Sequence, residues 1–206
     1  MNAVVTCVNY ADFLKWTLPA NRKHFDRIVV VTTPEDLETA AACDGIADVV
    51  TTDQFTANAS KFAKYAGVEI GLDAIGRDGW IAIMDADVIL PSDIGVVPFE
   101  IGNLYSPFRR MCHEFPPPPE GRWAEFPRDR IPPPWHFLGY CQIFHANDPV
   151  LGTPPWHGGW HKTAARGDMV FMERWPRERR VRTGWDVLHL GDARSNWSGR
   201  VTPRYS

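Results

Sequence analysis

Two aspartates, Asp85 and Asp87, directly follow the apolar run 80–84. The run is short, continuous and bulky, and Asp78-Gly79 precedes it as a turn signal, so it predicts a buried parallel strand. Ligands of open α/β sheets bind at the carboxyl ends of the strands, which is where these acids fall. Two buried carboxylates repel each other unless a cation lies between them, so the pair is a candidate site for a divalent metal. The alternative is that both are loop acids, one of which caps the next helix.

The chain has 206 residues, which is the size of one compact domain with a substantial core. No run approaches the roughly 18 apolar residues of a membrane span, and residues 1–10 carry no basic leader or cleavage signature. We therefore expect a soluble, cytoplasmic protein with no membrane partner. Because the cysteines are widely spaced, they fit neither a C-x-x-C metal site nor a disulfide framework, and we expect free buried thiols at Cys7, Cys43, Cys112 and Cys141.

The formal net charge of -3 hides an asymmetry between the two halves of the chain. Residues 1–103 carry seven Lys and Arg against fifteen Asp and Glu, whereas residues 104–206 carry fifteen against ten. Such a split can mark a surface that faces a polyanion, although an arginine run is more often a solvated face. The arginines concerned are Arg109, Arg110, Arg122, Arg128, Arg130, Arg174, Arg177, Arg179, Arg180 and Arg182.

The elements that must position the two aspartates alternate between strand and helix. Periodicity and turn signals predict strands at 3–8, 27–32, 48–51 and 80–84, and helices at 12–23, 34–43 and 58–75. Pro19 should bend or end the first helix, and Pro34 should open the second. The series βαβαβαβ predicts a parallel sheet with right-handed crossovers. Candidate core positions in the first and third helices are Phe13, Leu14, Trp16, Leu18, Phe62, Tyr65, Ala66, Ile70 and Leu72.

Glycine-rich phosphate loops are absent from the sequence. No G-x-G-x-x-G follows the first strand and no G-K-S/T occurs, which argues against a dinucleotide dehydrogenase and a P-loop NTPase. A domain that handles phosphates without a glycine cradle needs another source of positive charge. A metal held by Asp87 would supply it.

The second half is irregular between residues 114 and 134, where two proline clusters interrupt the chain. Consecutive prolines stiffen the backbone toward polyproline II and forbid a helix or a central strand, so the segment is predicted to be a loop. It could serve as an SH3-type ligand or, as long functional loops often do, as a lid. Residues 136–144 then predict a strand that returns to the sheet, and residues 156–161 form an aromatic cluster.

Taken in order, the motifs resemble those of the GT-A-fold glycosyltransferases, in which a DxD motif binds a divalent metal and the diphosphate of a nucleotide sugar. Residues 62–72 are similar to the family's F-N-K-G/A-x-A-x-N-x-G-L helix, with Ala63 at the Asn position. Gly158-Gly159-Trp160 followed by residues 166–171 resembles the acceptor-side pattern G-G-F/W…G-E/D-D-x-x-L. Residues 187–191 with Asn196-Trp197 resemble the closing strand that contains a histidine.

The resemblance implies a single GT-A-like, Rossmann-like α/β domain over residues 1–206, with a mostly parallel sheet flanked by helices. Residues 1–103 would bind the nucleotide sugar, and residues 104–206 would form an acceptor-side half that contains the proline-rich loop 114–134. The implied metal is Mn²⁺ or Mg²⁺, bound by Asp85, Asp87 and His189, with Asp85 also placed against the ribose or a metal-bound water. The alternative for His189 is a hydrogen-bonded core histidine.

Asp168 is the candidate general base. It follows Gly167 and opens a predicted helix through Met172, where the helix dipole favours the ionised form. In an inverting transfer such a carboxylate deprotonates the acceptor hydroxyl. The alternative is an ordinary N-cap, and the motifs leave open whether the transfer is inverting or retaining.

The nucleotide should be held by residues at the strand ends. Tyr10 could stack on a base and Asp53 could accept a hydrogen bond from one, while Lys64 resembles the lysine of the F-N-K motif. The remaining candidates, Thr6, Asn9 and Thr33, follow the first and second strands.

The acceptor could be a nucleic acid, because arginines suit phosphates and tryptophans suit stacked bases. The chain is then similar to small phage enzymes that glycosylate DNA, which would act in the host cytoplasm on a flipped hydroxymethylated base. A polysaccharide or small-molecule acceptor fits the motifs equally well. Two other classes stay open, a nucleotidyltransferase and a non-catalytic nucleotide-binding module.

Overall fold

Eight strands form one sheet in the computed structural model, which describes residues 1–95, 98–129, 139–157, 162–165, 167–192 and 195–205. The strand order is β3-β2-β1-β4-β7-β6-β8-β5. The strands are β1 Asn2–Thr6, β2 Arg27–Thr32, β3 Asp48–Thr51, β4 Trp80–Asp85, β5 Val88–Ile89, β6 Leu104–Cys112, β7 Cys141–His145 and β8 Arg180–Leu190.

The described helices lie mainly in the first half of the chain. The α-helices are α1 Ala11–Asn21, α2 Leu37–Ala42, α3 Lys64–Ile75 and α4 Gly167–Met172. Short 3-10 helices span Arg22–His24, Ala57–Ala59, Glu120–Glu125 and Arg177–Arg179.

The first four strands of the order pair in parallel, β3 with β2, β2 with β1 and β1 with β4. This confirms the predicted βαβαβαβ series. Strand β7 is antiparallel to both β4 and β6, whereas β6 and β8 are parallel. The predicted α/β fold class, a mostly parallel sheet flanked by helices, is therefore confirmed.

The parallel half of the sheet is buried on both faces. Successive side chains of a strand point to opposite faces, so Val5 packs with Leu14 and Leu18 of α1, whereas Val4 packs with Val68 and Leu72 of α3. Two covered faces explain why strands β1, β2 and β4 are continuous apolar runs rather than alternating ones.

The far edge of the sheet curls back toward β4. Only Ala86 and Asp87 separate β4 from β5, yet β5 pairs with β8 at the opposite end of the strand order. This antiparallel pairing sets Val88 opposite His189. The curl therefore brings the end of the last strand beside the Asp85–Asp87 segment.

Two predicted helices begin later than expected. The third was predicted from residue 58, but Asn58 and Ala59 have φ values of 53° and 55°, which lie outside the right-handed helical region, and α3 begins at Lys64. The second was predicted to open at Pro34, but Asp36 caps it by accepting a hydrogen bond from the Thr39 N–H.

Helix α1 continues past Pro19 to Asn21, rather than ending at the proline. Its last turn is held from outside, because Thr17 donates a side-chain hydrogen bond to the Ala86 carbonyl, between β4 and β5, and Asn21 donates one to the Val88 carbonyl of β5. The prediction that Trp16 is buried was wrong, since this side chain is 40% exposed.

The proline-rich segment contains a short 3-10 helix, Glu120–Glu125, where the prolines had predicted only loop. Trp123 in this helix is buried against Phe13, Ile89 and Leu188, and that packing orders the segment. Residues 130–134 of the predicted loop and residues 136–138 of the predicted returning strand lie outside the described residues.

All four cysteines are free and buried, as predicted. Burial raises the pKa of Cys43 to about 11, so its thiol stays protonated near neutral pH. Among the described residues, no helix has the length and apolar character that crossing a bilayer requires.

Gly71 provides a test of how closely α3 packs on the sheet. A Cβ atom at this position would lie 2.4 Å from Val4 Cγ1 and 2.9 Å from Val31 Cγ2. We predict that Gly71→Ala lowers the free energy of unfolding by about 1–3 kcal/mol, measured by urea denaturation. Gly121→Ala, which meets no atom within 4 Å, is the control and should change stability little. Equal stability of the two variants would contradict the close packing.

Candidate functional site

A cavity of about 780 Å³ opens at the carboxyl ends of β1, β2 and β4. This volume lies within the range of small-molecule sites in proteins. The cavity brings together nine of the ten predicted site residues, which are Thr6, Asn9, Tyr10, Thr33, Lys64, Asp85, Asp87, Asp168 and His189.

Asp85 is ion-paired with Lys64, the first residue of α3. The Lys64 ammonium group also donates a hydrogen bond of 3.1 Å to the carbonyl of Gly139. Burial raises the pKa of Asp85 although the charge of Lys64 opposes the shift. Asp85 was predicted as a metal ligand, and in this structure its partner is an ammonium group.

Asp87 has a buried oxygen, Oδ1, without a hydrogen-bond partner in the described part of the chain. The imidazole Nε2 of His189 lies 3.6 Å from this oxygen, which is beyond hydrogen-bond distance. The pairing of β5 with β8 places the two side chains together, and the Leu190 N–H donates to the Asp87 carbonyl at 2.8 Å.

The protonation behaviour of this pair suits a cation. Burial raises the pKa of Asp87 to about 6, even though Lys64 attracts the ionised form. Burial, and then the charge of Arg109, lowers the pKa of His189 to about 3, so the imidazole is neutral and keeps a lone pair. A divalent ion would compensate the buried carboxylate charge and bind the imidazole.

Asp87 and His189 would form only part of a metal shell. Within the described ranges, no three His, Cys, Asp or Glu side chains are close enough together to hold an ion by themselves. Mg²⁺ and similar hard cations commonly bind one or two carboxylates and take their other ligands from substrate phosphates and water. The two residues fit a metal of that kind.

The segment that carries the aspartates is held by buried polar side chains of α1. Thr17 donates a 2.7 Å hydrogen bond to the Ala86 carbonyl. Asn21 donates to the Val88 carbonyl and accepts from the Leu90 N–H, both at 2.8 Å. These contacts fix the backbone on both sides of Asp87, and the sequence signalled them only as polar positions of the first helix.

Asp168 lies at the start of α4, and both of its oxygens accept backbone hydrogen bonds. The Gly139 N–H donates to Oδ2 at 2.8 Å and the Met169 N–H to Oδ1 at 2.9 Å. Burial raises the pKa of Asp168 although these two hydrogen bonds favour the ionised form. A carboxylate with a raised pKa and remaining lone pairs can accept a proton from a substrate.

The side of the cavity predicted to hold the nucleotide is formed by Thr6, Asn9, Tyr10 and Thr33. The Asn9 N–H donates to Asp36 Oδ2 at 2.6 Å, which fixes the loop after β1. The guanidinium group of Arg200 lies 4.6 Å from the Tyr10 ring centroid, so one face of this ring is already covered.

Some predicted residues do not reach the cavity. Asp53 is exposed and is not among the lining residues. None of the described residues of the proline-rich segment, 114–129, lines it either. The motif residues 158–160 and Arg166 lie outside the described residues.

Several arginines of the basic half are engaged by carboxylates. Arg109 binds Asp129, Arg122 binds Glu114 and Glu125, and Arg110 and Arg128 share Asp186. Others bind backbone carbonyls, such as Arg174 with Trp156 and Leu151. Arg130 lies outside the described residues. Much of the positive charge in this half is therefore paired within the fold.

The C-terminal segment, residues 195–205, forms part of the cavity wall and was missed as a unit. Arg200 donates to both oxygens of Asp12 and to the Asn9 carbonyl, and Asn196 donates to the Tyr10 hydroxyl. Neither contact has a local sequence signal, because each joins residues more than 180 positions apart.

The sequence matches no protein-family model and no curated protein. Solved structures do resemble the fold. Glucosyl-3-phosphoglycerate synthase from Mycobacterium tuberculosis, in complex with Mn²⁺, UDP and glucosyl-3-phosphoglycerate, superposes with a TM-score of 0.60 at 13% identity, covering 93% of this chain and 72% of that one. The same enzyme with Mn²⁺, UDP-glucose and phosphoglyceric acid superposes with a TM-score of 0.58 at 14% identity, covering 94% of this chain and 72% of that one.

A third structure, described as a mycobacterial protein, gives a TM-score of 0.53 at 14% identity and covers 92% of this chain and 64% of that one. The present chain thus spans about two thirds to three quarters of these proteins. At such low identity the likeness shows the fold, and that fold agrees with the predicted GT-A architecture.

Binding of Mn²⁺ tests the Asp87–His189 pair. We predict that Asp87→Asn and His189→Gln each weaken Mn²⁺ binding at least about tenfold, measured by isothermal titration calorimetry. His113 is exposed, so His113→Gln is the matched control and should bind Mn²⁺ as the wild type does.

The pH dependence of binding follows from the raised pKa of Asp87. Without metal, protonation of Asp87 favours the folded state, so its contribution to stability is present at low pH and is lost as the pH rises through about 6. Mn²⁺ needs the carboxylate, and we expect its affinity to fall about fivefold between pH 6 and pH 5. Affinity that did not change over this range would contradict the assignment.

Proposed function

We propose that this protein is a metal-dependent glycosyltransferase that moves a sugar from a nucleoside-diphosphate sugar to an acceptor hydroxyl. The observation that carries the proposal is the Asp87 oxygen that has no hydrogen-bond partner among the described residues and lies beside the neutral imidazole of His189, in a cavity at the carboxyl ends of the strands. The likeness of the fold to an enzyme solved with Mn²⁺ and UDP-glucose supports the same reading of the cavity.

Asp87 and His189 would hold Mn²⁺ or Mg²⁺ together with the donor diphosphate. The chemistry that such an ion supplies is the neutralisation of charge on the leaving diphosphate. Asp85 is paired with Lys64 and lines the same cavity, and its other oxygen would face the ribose or a bound water. Thr6, Asn9 and Thr33 would contact the base and ribose at the neighbouring strand ends.

Asp168 would act on the acceptor side. In an inverting transfer its carboxylate takes the proton of the attacking hydroxyl. Burial raises its pKa, and the backbone hydrogen bonds from Gly139 and Met169 hold its orientation. These properties favour a base that is fixed in place before the acceptor arrives.

A small molecule is our first choice of acceptor. The related fold was solved with phosphoglyceric acid, which is a small hydroxy acid phosphate. The case for a hydroxymethylated base in DNA rested on arginines and tryptophans of the second half, and of these Arg109, Arg110, Arg122 and Arg128 are paired with carboxylates. DNA therefore becomes the second acceptor class in the test.

A panel of UDP-, GDP- and ADP-sugars with Mn²⁺ tests the donor, with thermal shift and release of the nucleoside diphosphate as readouts. Acceptors are 3-phosphoglycerate and an oligonucleotide that contains hydroxymethylcytosine. We expect one sugar nucleotide to stabilise the protein in a Mn²⁺-dependent way and to be turned over. Stabilisation by ATP or CTP alone would favour a nucleotidyltransferase, and binding without turnover would favour a non-catalytic module.

Asp168→Asn should lower turnover at least about a hundredfold, because the general base is lost. Donor affinity should remain within a few-fold of the wild-type value, since Asp168 lies on the acceptor side. Asp78→Asn is the matched control, because Asp78 is exposed at the opposite end of β4. Both proteins are assayed well below their melting temperatures, since the asparagine would disturb one backbone hydrogen bond. A near-wild-type rate would remove Asp168 as the base.

A further inference from the structure

We propose that Tyr65 is a positioning residue for Asp168 and that the Glu69–His157 pair holds Tyr65 in place. The inference rests on the proposed function, in which Asp168 is the base. It adds three residues that contact one another in a chain from α3 to the start of α4.

Tyr65 reaches directly to the candidate base. It is the second residue of α3, it is buried, and its ring lies on the cavity wall next to Lys64. Its hydroxyl accepts a hydrogen bond from the backbone N–H of Asp168. Burial, and then the negative charges of Asp168 and Asp85, raise the pKa of Tyr65, so the hydroxyl stays neutral beside the carboxylate.

Two glycines make room for this ring. A Cβ atom on Gly167 would lie 2.1 Å from Tyr65 Cδ2, and one on Gly139 would lie 2.6 Å from the Tyr65 hydroxyl and 3.0 Å from Asp168 Cβ. The residue before Asp168 and the residue whose N–H binds Asp168 are thus both packed against Tyr65. The position of the ring therefore determines where the Asp168 carboxylate lies.

His157 holds the other face of the ring. It is fully buried and stacks between Tyr65, at a centroid distance of 5.1 Å, and Phe171 of α4, at 4.2 Å. The histidine thus fills the space between helices α3 and α4. Its Nε2 atom has no hydrogen-bond partner among the described residues, so only its Nδ1 edge is fixed by a hydrogen bond.

Glu69 supplies that bond from one turn further along α3. Its Oε1 atom lies 2.7 Å from His157 Nδ1 and accepts the backbone N–H groups of Trp156 and His157 at 2.9 and 2.8 Å. Burial opposes ionisation, but these hydrogen bonds prevail and lower the pKa of Glu69 to about 2. An ionised Glu69 fixes His157 as the tautomer that donates from Nδ1.

Three variants separate the contacts among Glu69, His157 and Tyr65. Tyr65→Phe removes only the hydroxyl, His157→Phe keeps a ring in the stack but loses the bond to Glu69, and His157→Asn keeps a donor but loses the stack. With UDP-glucose, or the sugar nucleotide that the donor panel selects, and Mn²⁺, we expect kcat to fall about tenfold in Tyr65→Phe. KM for the donor should stay within about twofold.

Arg77→Gln is the control for a purely structural role. Arg77 donates to the other oxygen of Glu69 at 2.8 Å and stacks on Trp156, so its loss should lower the melting temperature. Because its contacts are with Glu69 and Trp156, kcat should be unchanged. If kcat fell in proportion to the loss of melting temperature in every variant, including Arg77→Gln, the proposal would be overturned.

Hydrogen exchange of the Asp168 amide gives a readout that does not depend on activity. The Tyr65 hydroxyl is its acceptor, so exchange should be about tenfold faster in Tyr65→Phe. Unchanged exchange, or unchanged kcat in an active enzyme, would overturn the positioning role. If the wild type turned over no sugar nucleotide while exchange still rose, the contact would stand, and both the proposed function and the catalytic role of Tyr65 would fall.

Discussion

Three carboxylates line one cavity of this fold: Asp87 and Asp168 are buried, and Asp85 is partly buried and ion-paired with Lys64. Two arginines also line the cavity, but Asp129 engages Arg109 and Asp12 engages Arg200. Asp87 therefore keeps a buried oxygen that no donor of the described residues reaches, and burial favours its protonated form. A buried charge of this kind is costly unless a cation compensates it. The rest of the site can be understood as a way of holding that oxygen in place.

Elements from both ends of the chain contribute to this arrangement. Helix α1 fixes the backbone around Asp87 through Thr17 and Asn21, and the curl of the sheet brings His189 to it through the β5–β8 pairing. The close approach of Gly71 to β1 and β2 seats α3, whose first two residues, Lys64 and Tyr65, face the cavity. In the proposed function, the first turn of this one helix supports both sides of the reaction, because Lys64 pairs with Asp85 and Tyr65 contacts the start of α4 at Asp168.

The sequence predicted the parallel half of the fold well, because buried strands and amphipathic helices leave periodic patterns, and strands β2 and β3 were placed to the residue. The convergence of Asp85, Asp87, Asp168 and His189 also followed from strand ends and motif order.

Contacts between residues far apart in the sequence leave no such periodic pattern. The late start of α3 depends on left-handed backbone at Asn58 and Ala59, the burial of Trp123 depends on strands far away, and the pairing of Arg200 with Asp12 spans nearly the whole chain. Asp53 followed the strand-end rule but lies outside the cavity lining, because that rule predicts an edge of the sheet rather than the direction of a side chain.

Anomalous diffraction at the manganese edge, from crystals soaked with Mn²⁺ and UDP, can show whether Asp87 and His189 hold a metal. We expect one strong peak within coordination distance, about 2.0–2.6 Å, of both Asp87 Oδ1 and the His189 imidazole. A map without a peak at Asp87, or with its carboxylate turned to a protein donor while UDP binds elsewhere, would contradict this expectation.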